Sequence, residues 1–225
     1  MLKQRIIQTN HGINGDLTVA NYNLFSRNMR DKGWNNLSSI LNSGIKNGNV
    51  LEIGPGPGYL GLEWLKQSKS TNSKLTGCEI SRDMITLATK NAKEYGLESV
   101  ACYVEGNSMQ MPFEDCSFDS VFSNGSLHEW EEPMKVFNEI HRVLKPGGLY
   151  CITDLRRDVN SLLKWLIYFS TKPKEIRPGF LSSQRASYTV DEIKNILDQS
   201  ALKKYSINKN FLTLCISGKT NQTIL

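Results

Sequence analysis

The stretch Val50-Leu51-Glu52-Ile53-Gly54-Pro55-Gly56-Pro57-Gly58-Tyr59 decides the fold. Its first four residues read as a buried strand, and Gly54 stops it. Glycines at every second position then let the chain turn tightly and let a ligand meet bare backbone, just before a helix whose N-terminus favours polar or anionic groups. Outward from this turn, short apolar runs alternate with helical patterns, the signature of βαβ units and a parallel sheet. Residues 75–80, 100–104, 118–123 and 149–153 read as the next four strands. Ser81 is the expected N-cap of a helix that turns Met84, Leu87, Ala88 and Ala92 inward and ends near Tyr95-Gly96. Pro133 suits the first turn of another helix, with Met134, Phe137, Ile140 and Leu144 inward and Lys145-Pro146-Gly147-Gly148 as its stop. A helix over 189–199 follows, then strands over 204–207 and 211–217. The short link between those strands predicts an antiparallel hairpin.

At 225 residues, 39% hydrophobic and 22% charged, with 17 glycines, the chain has ordinary globular usage, which excludes collagenous, disulfide-stapled and wholly disordered classes. The apolar run over 161–169 is interrupted by Lys164 and is too short to cross a bilayer. Residues 1–8 carry Lys3 and Arg5 with no apolar segment behind them, so no secretory signal is expected and a cytoplasmic location is. The five cysteines are scattered and never spaced Cys-x-x-Cys, so neither a disulfide framework nor a metal site is expected. Net charge is +5 but unevenly placed: residues 1–50 hold six basic and two acidic side chains, 51–154 nine and fifteen, 155–225 twelve and five. No run of five or six like charges marks a nucleic-acid arm.

Two cofactor classes compete for the glycine turn. The dinucleotide pattern Gly-x-Gly-x-x-Gly, counted from the glycine that ends the strand, needs glycine where this chain has Tyr59; counted from Gly56 it recovers Gly61 but moves off the strand end. Glu79, at the end of the second strand, stands where an acidic side chain accepts hydrogen bonds from the hydroxyls of an adenosine ribose. Taken with Gly77-Cys78-Glu79-Ile80-Ser81, the segment Glu105 to Phe113, Ser117-Phe118-Asp119-Ser120-Val121 and Arg142-Val143-Leu144-Lys145-Pro146-Gly147-Gly148, the turn resembles the successive motifs of class I S-adenosylmethionine-dependent methyltransferases. The likeness covers residues 48–155 and is nearest to the small-molecule branch that includes quinone-biosynthesis enzymes. It completes the expected fold: a doubly wound α/β domain over 48–225 with a mostly parallel, seven-stranded Rossmann-like sheet, a helical leader over 1–47 and a helical lid inserted near 156–188.

The resemblance implies S-adenosyl-L-methionine as cofactor and S-adenosyl-L-homocysteine as its product. Gly54, Gly56 and Gly58 would hold the methionine moiety, with Glu52 beneath them near its amino group. Glu79 would bind the ribose, Ile80 and Met84 would pack on the adenine, Asn107 and Ser108 would border it, Asn107 standing where the family commonly has aspartate, and Met109 either covers the other adenine face or packs as an ordinary core methionine. The segment from Ser123 to Trp130, with Asn124, would lie beside the methyl group. It lacks the Asn/Asp-Pro-Pro-Tyr/Phe signature of many nucleobase methyltransferases, and no Pro-Cys dipeptide supplies an RNA cytosine nucleophile.

His128 is the candidate general base, since its ordinary pKa lies near 6.5; the alternative is a histidine that holds its loop by hydrogen bonds. His141 and His11 read as structural. On the substrate side, residues 21–34 read as polar turns with an amphipathic helix, and Tyr22 either touches the cofactor or packs in the core. Arg156 and Arg157 either clamp an anionic acceptor or bridge Asp154 and Asp158. Leu162, Leu163, Trp165, Leu166, Ile167, Tyr168 and Phe169 are too apolar for a free surface helix; they line a pocket, an oligomer contact or a membrane-surface face, the first choice being a lid over the acceptor with Trp165 against it. A small anionic or amphipathic acceptor is favoured over nucleic acid. The rival readings are an RNA methyltransferase, a nucleotide-linked oxidoreductase and a non-catalytic binding module.

Overall fold

The computed structural model describes residues 4–8, 12–68, 70 and 72–221. Seven strands form one sheet in the order β3-β2-β1-β4-β5-β7-β6. They are β1 (Asn49–Ile53), β2 (Lys74–Glu79), β3 (Ala101–Glu105), β4 (Phe118–Asn124), β5 (Leu144–Leu155), β6 (Tyr205–Lys209) and β7 (Thr213–Lys219). The first five run parallel, while β7 pairs antiparallel with both β5 and β6. The order reverses between β1 and β4, and a doubly wound sheet opens a crevice at such a point, beyond the carboxyl ends of its strands.

Alternation within the strands sends successive side chains to opposite layers. Leu51, Ile53, Val121, Tyr150 and Ile152 pack with Val136, Phe137 and Ile140 of α5 (Pro133–Val143) and with Ile193 and Leu197 of α8 (Val190–Leu197). Val50, Phe122 and Cys151 pack on the other side, with Ile40 of α2 (Leu37–Asn42), Leu62 and Trp64 of α3 (Tyr59–Gln67) and Ala92 of α4 (Arg82–Glu94). Trp64 is wholly buried, and its indole N–H donates to the Ile45 carbonyl at 2.9 Å, which satisfies the one polar atom that it takes out of water. Besides α2, three helices precede or interrupt this frame: α1 (Asp16–Asp31) in the leader, and α6 (Ser161–Ser170) followed by α7 (Arg177–Ala186) between β5 and α8.

Several local expectations shift. β5 starts at Leu144, so Lys145-Pro146-Gly147-Gly148 lies inside a strand rather than ending the helix. A register shift between Phe118 and Ser120 bulges the β4–β5 ladder there; Gly147 at φ 75° and the bond from Thr220 N–H to the Gly148 carbonyl carry the chain through. Met134 is exposed, because the inward stripe of α5 runs through Val136, Phe137, Ile140 and Val143. The C-terminal link spans Asn210 to Leu212, leaving Phe211 in the turn, where the Asn210 side chain accepts from the Leu212 and Thr213 N–H groups. His11 lies outside the described residues.

Candidate active site

A cleft of about 1490 Å³ opens over the carboxyl ends of β1, β2, β4 and β5. At its floor, Gly54, Gly56 and Gly58 all have positive φ, at 66°, 52° and 80°. A side chain at Gly54 would be strained by that angle and would also stand 2.6 Å from the Ser126 hydroxyl, so only glycine brings the β1 turn and the β4 loop this close. Gly54 and Gly56 line the cleft; Gly58 sits just behind them as the left-handed N-cap of α3.

Glu79 is buried at the tip of β2, and its carboxylate accepts three backbone N–H bonds at 3.0 Å, from Gly56, Ile80 and Ser81. One side chain thus holds the glycine turn against the start of α4. Burial raises its pKa, and the three bonds pull the other way. Glu52 lies deeper. Its carboxyl is pushed up to about 8, chiefly by burial and further by the charge of Glu79, against one bond from Gly61. Its Oε2 is buried without a hydrogen-bond partner among the described residues. An unpaired buried carboxyl oxygen is costly, and a ligand cation or donor reaching it would recover part of that cost.

Farther along the β2 and β3 ends, Ile80 is exposed on the cleft lining, Met84 lines it from within the core, and Asn107, Ser108 and Met109 complete this wall. The Asn107 side-chain Oδ1 accepts from Met109 N–H at 2.9 Å, so the residue shapes its own turn. The leader closes this end: the Ser81 hydroxyl donates to the Ile13 carbonyl at 2.6 Å, and Gly15 N–H donates to Asp83 at 2.8 Å.

At the other end stands a pair separated by 26 residues in sequence. His128 Nδ1 meets both carboxylate oxygens of Asp154, at 2.9 and 3.0 Å, while Asp154 also accepts the backbone N–H groups of His128 and Leu155 at 2.6 Å. Asp154 fixes the ring, leaving Nε2 as its remaining nitrogen, 3.9 Å from Glu129. Burial opposes protonation of His128, but the adjacent Asp154 charge and hydrogen bond, with help from Glu129, outweigh it and raise the pKa. The ring is thus held by hydrogen bonds and lines the cleft. The sequence reading missed Asp154 as its partner and assigned that carboxylate to an arginine; the available signal was an acid at the tip of a fifth parallel strand.

Asn124 also lines this end, its side-chain Oδ1 accepting from Asn36 Nδ2 at 2.8 Å and from the Thr153 hydroxyl at 2.7 Å. Tyr22 of α1 reaches over the glycines, its ring 3.5 Å from where a Cβ on Gly56 would stand. Burial pushes its hydroxyl pKa up, and the carboxylates of Glu129, Glu79 and Asp154 add to this.

Of the two alternatives for Arg156 and Arg157, the clamp does not form in the cleft, and the bridge forms between Arg156 and Asp158 alone. Arg156 binds Asp158 at 2.8 Å and the Asn210 carbonyl, while Arg157 is buried against Glu192 and the Ser187 carbonyl, so neither lines the cleft and Asp154 belongs to His128 instead. Trp165 is also off the lining, on the outer side of α6; Leu163 and Ile167 face inward. With Phe25, Met29, Trp34 and Phe180 they make this end of the cleft largely apolar. The ionisable lining is mainly acidic, with Glu52, Glu79, Glu129, Glu131, Asp154 and Glu175 against Lys32 and Lys172.

A doubly wound sheet with a glycine turn after β1 and a buried acid at the tip of β2 defines an adenosine-cofactor enzyme fold. Residues 51–152 match the methyltransferase domain family. The chain is 30% identical over 144 residues to the uncharacterized methyltransferase YdaC of Bacillus subtilis, covering 64% of this chain and 74% of that protein. It is 29% identical over 158 residues to a demethylmenaquinone methyltransferase of Chlorobaculum tepidum, covering 69% of this chain and 60% of that protein. Likewise, it is 29% identical over 198 residues to the chloroplastic 2-phytyl-1,4-beta-naphthoquinone methyltransferase of Arabidopsis thaliana, covering 82% and 73%. A Methanococcus maripaludis crystal structure assigned as an S-adenosyl-L-methionine-dependent methyltransferase superposes with a TM-score of 0.72 at 25% identity, over 95% of this chain and all of that one. The chain belongs to the class I S-adenosyl-L-methionine-dependent methyltransferases, and its relatives include quinone-methylating members. The residues present fit that cofactor: a bare-backbone cradle, an orphaned carboxyl oxygen at its base, and an acidic lining that complements a sulfonium and an ammonium.

Proposed function

We propose that this enzyme methylates a small, largely apolar or amphipathic molecule and that His128 takes the proton that the acceptor gives up. The observation that carries the reading is the continuity of the cleft: from the glycine turn it passes His128 and Asp154 into the apolar chamber between α1, α6 and α7. When bound, S-adenosyl-L-methionine supplies an electrophilic methyl group.

On this reading Gly54 and Gly56, with Glu52 below and Tyr22 above, hold the methionine end. Glu79 takes the ribose hydroxyls while keeping the turn closed. Ile80, Met84, Ser108 and Met109 flank the adenine, and the free amide end of Asn107 faces its edge. At the acceptor end His128 Nε2 receives a proton from an acceptor hydroxyl or acidic C–H. Asp154 orients the ring and stabilises the imidazolium that results. The leader and the 156–188 insertion exclude water and align the acceptor, which is the main requirement of a displacement at a methyl group. With Arg156 and Arg157 engaged elsewhere, nothing in this reading calls for an anionic acceptor; an apolar body with one ionisable hydroxyl fits better. The acidic lining also disfavours the alternative RNA acceptor, whose phosphates it would repel.

The test is incubation with methyl-labelled donor and a cell extract, followed by separation into lipid, low-molecular-weight and RNA fractions. Label in the lipid or low-molecular-weight fraction supports the reading. Label in RNA alone overturns it, and donor binding without label in any fraction leaves a binding module.

A further inference from the structure

α6 turns two unlike faces to two unlike surroundings. Leu163 and Ile167 line the acceptor chamber. Leu162, Trp165, Leu166 and Phe169, spaced i, i+3, i+4 and i+7, are 71, 45, 60 and 63% exposed and form an apolar stripe on the outside. The Phe169 ring stacks on Trp165 at 5.9 Å between centroids, and Tyr168 meets both edge-on at 5.3 and 5.2 Å. Exposed apolar side chains also stand on the cleft lining itself, where Leu17 of α1 and Phe211 of the β6–β7 turn are 75 and 70% exposed.

Cations flank this stripe in sequence. Lys164 lies with its ammonium 5.7 Å from the Trp165 ring centre, and Lys172, Lys174 and Arg177 follow α6 against the single acid Glu175, a net charge of +3 over residues 161–177, with Lys172 and Glu175 both on the cleft lining. That charge selects the occupant. A two-fold contact with a second copy of the chain sets this basic flank against itself. An anionic bilayer complements it, and its headgroup layer is where tryptophan and phenylalanine beside lysine are most favourably placed. With ten residues and no helix of the described chain long and apolar enough to cross a membrane, α6 lies in the plane of the surface.

We propose that α6 is an interfacial anchor that docks this enzyme on anionic lipid bilayers. The docked face and the chamber wall are two sides of one helix, so an amphipathic acceptor passes from the lipid into the cleft beneath it. That second step rests on the proposed acceptor class; the docking does not.

The experiment is co-sedimentation of the full chain with vesicles of phosphatidylcholine alone and of phosphatidylcholine mixed with phosphatidylglycerol, without donor or acceptor. The expected result is retention on the mixed vesicles, weakened by added salt. Lys164→Glu with Lys174→Glu weakens it by at least about fivefold per lysine, and Trp165→Ser with Phe169→Ser abolishes it, while calorimetry finds donor binding unchanged in both variants. No retention on either vesicle, equal retention of the variants, or a concentration-dependent dimer that Trp165→Ser with Phe169→Ser dissolves would overturn the proposal. Because retention is read without turnover, a failed methyl-transfer assay leaves it standing, and failed docking leaves the methyltransferase reading intact.

Discussion

The donor end of the cleft is made of strand tips, and the acceptor end is made of helices that have left the sheet. At the donor end, adjacent strands in continuous register fix Gly54, Glu79 and Asn107, and a single carboxylate ties the turn to the next helix. At the acceptor end, position depends on side chains acting at long range. Arg5 donates to the carbonyls of Ala186 and His128 and lies over the Tyr188 ring at 4.1 Å; Arg157 pins the insertion to α8 through Glu192. A backbone ladder tolerates changes of side chain, whereas such pins do not. The same donor chemistry can therefore be kept while the acceptor is changed by altering the leader and the insertion.

This contrast is testable by asking whether the two ends fail separately. The largest effect is expected from His128→Ala, with turnover falling about 10²- to 10⁴-fold while donor affinity holds. Labelled-methyl turnover measured beside calorimetry checks it. A parallel fall in donor affinity would show that the two ends are one unit. Glu79→Ala should do the reverse, weakening donor binding by about 1.5–3 kcal/mol, roughly tenfold to a hundredfold, since its charge-assisted bonds to Gly56, Ile80 and Ser81 are lost together. Unchanged affinity in calorimetry removes Glu79 from the site.

Asp154→Asn sharpens the comparison through pH. The proton acceptor must be neutral, and Asp154 raises the His128 pKa, so wild-type turnover should climb with pH through a midpoint above the ordinary 6.5. The variant should be slower, with its midpoint moved to lower pH. An unmoved midpoint would assign the limb to another group. The smallest effect concerns Glu52. Its carboxyl titrates at about 8 when folded and near 4.5 when unfolded, so the free protein loses stability as pH rises from 4.5 through 8. Glu52→Gln should melt a few degrees higher than wild type at pH 8 and match it near pH 4, while binding the donor more weakly. Parallel melting curves at both pH values would show that Glu52 is paired in solution.

Much of the donor end was legible because its signals are local. A strand, three glycines and an acid at the next strand tip place Gly54, Gly56 and Glu79 within a single βαβ unit, where short-range geometry leaves little freedom. The errors arose where position depends on distant partners. Arg156 does bridge its neighbour Asp158, but β5 turns Asp154 toward His128, and α8 supplies Glu192 to Arg157. Trp165 shares its apolar run with Leu163 and Ile167, and composition does not say which side of a uniformly apolar helix faces the cleft. Met134 failed for a related reason: both the expected and the observed stripes of α5 satisfy helical spacing, and only the position of the sheet chooses between them.

The sequence by itself determined the alternation of strands and helices, the glycine turn, the acid at the tip of β2 and, through five motifs in order, the methyl donor. These are properties of residues close together in the chain, where steric and hydrogen-bonding rules act directly. Only the tertiary structure decided that Asp154 serves His128, that Arg157 pins the insertion to α8 rather than clamping an acceptor, and that α6 has an inner and an outer side. Those outcomes depend on which groups meet across 26 or more residues and on which charges are removed from water together, and such encounters exist only once the sheet has formed.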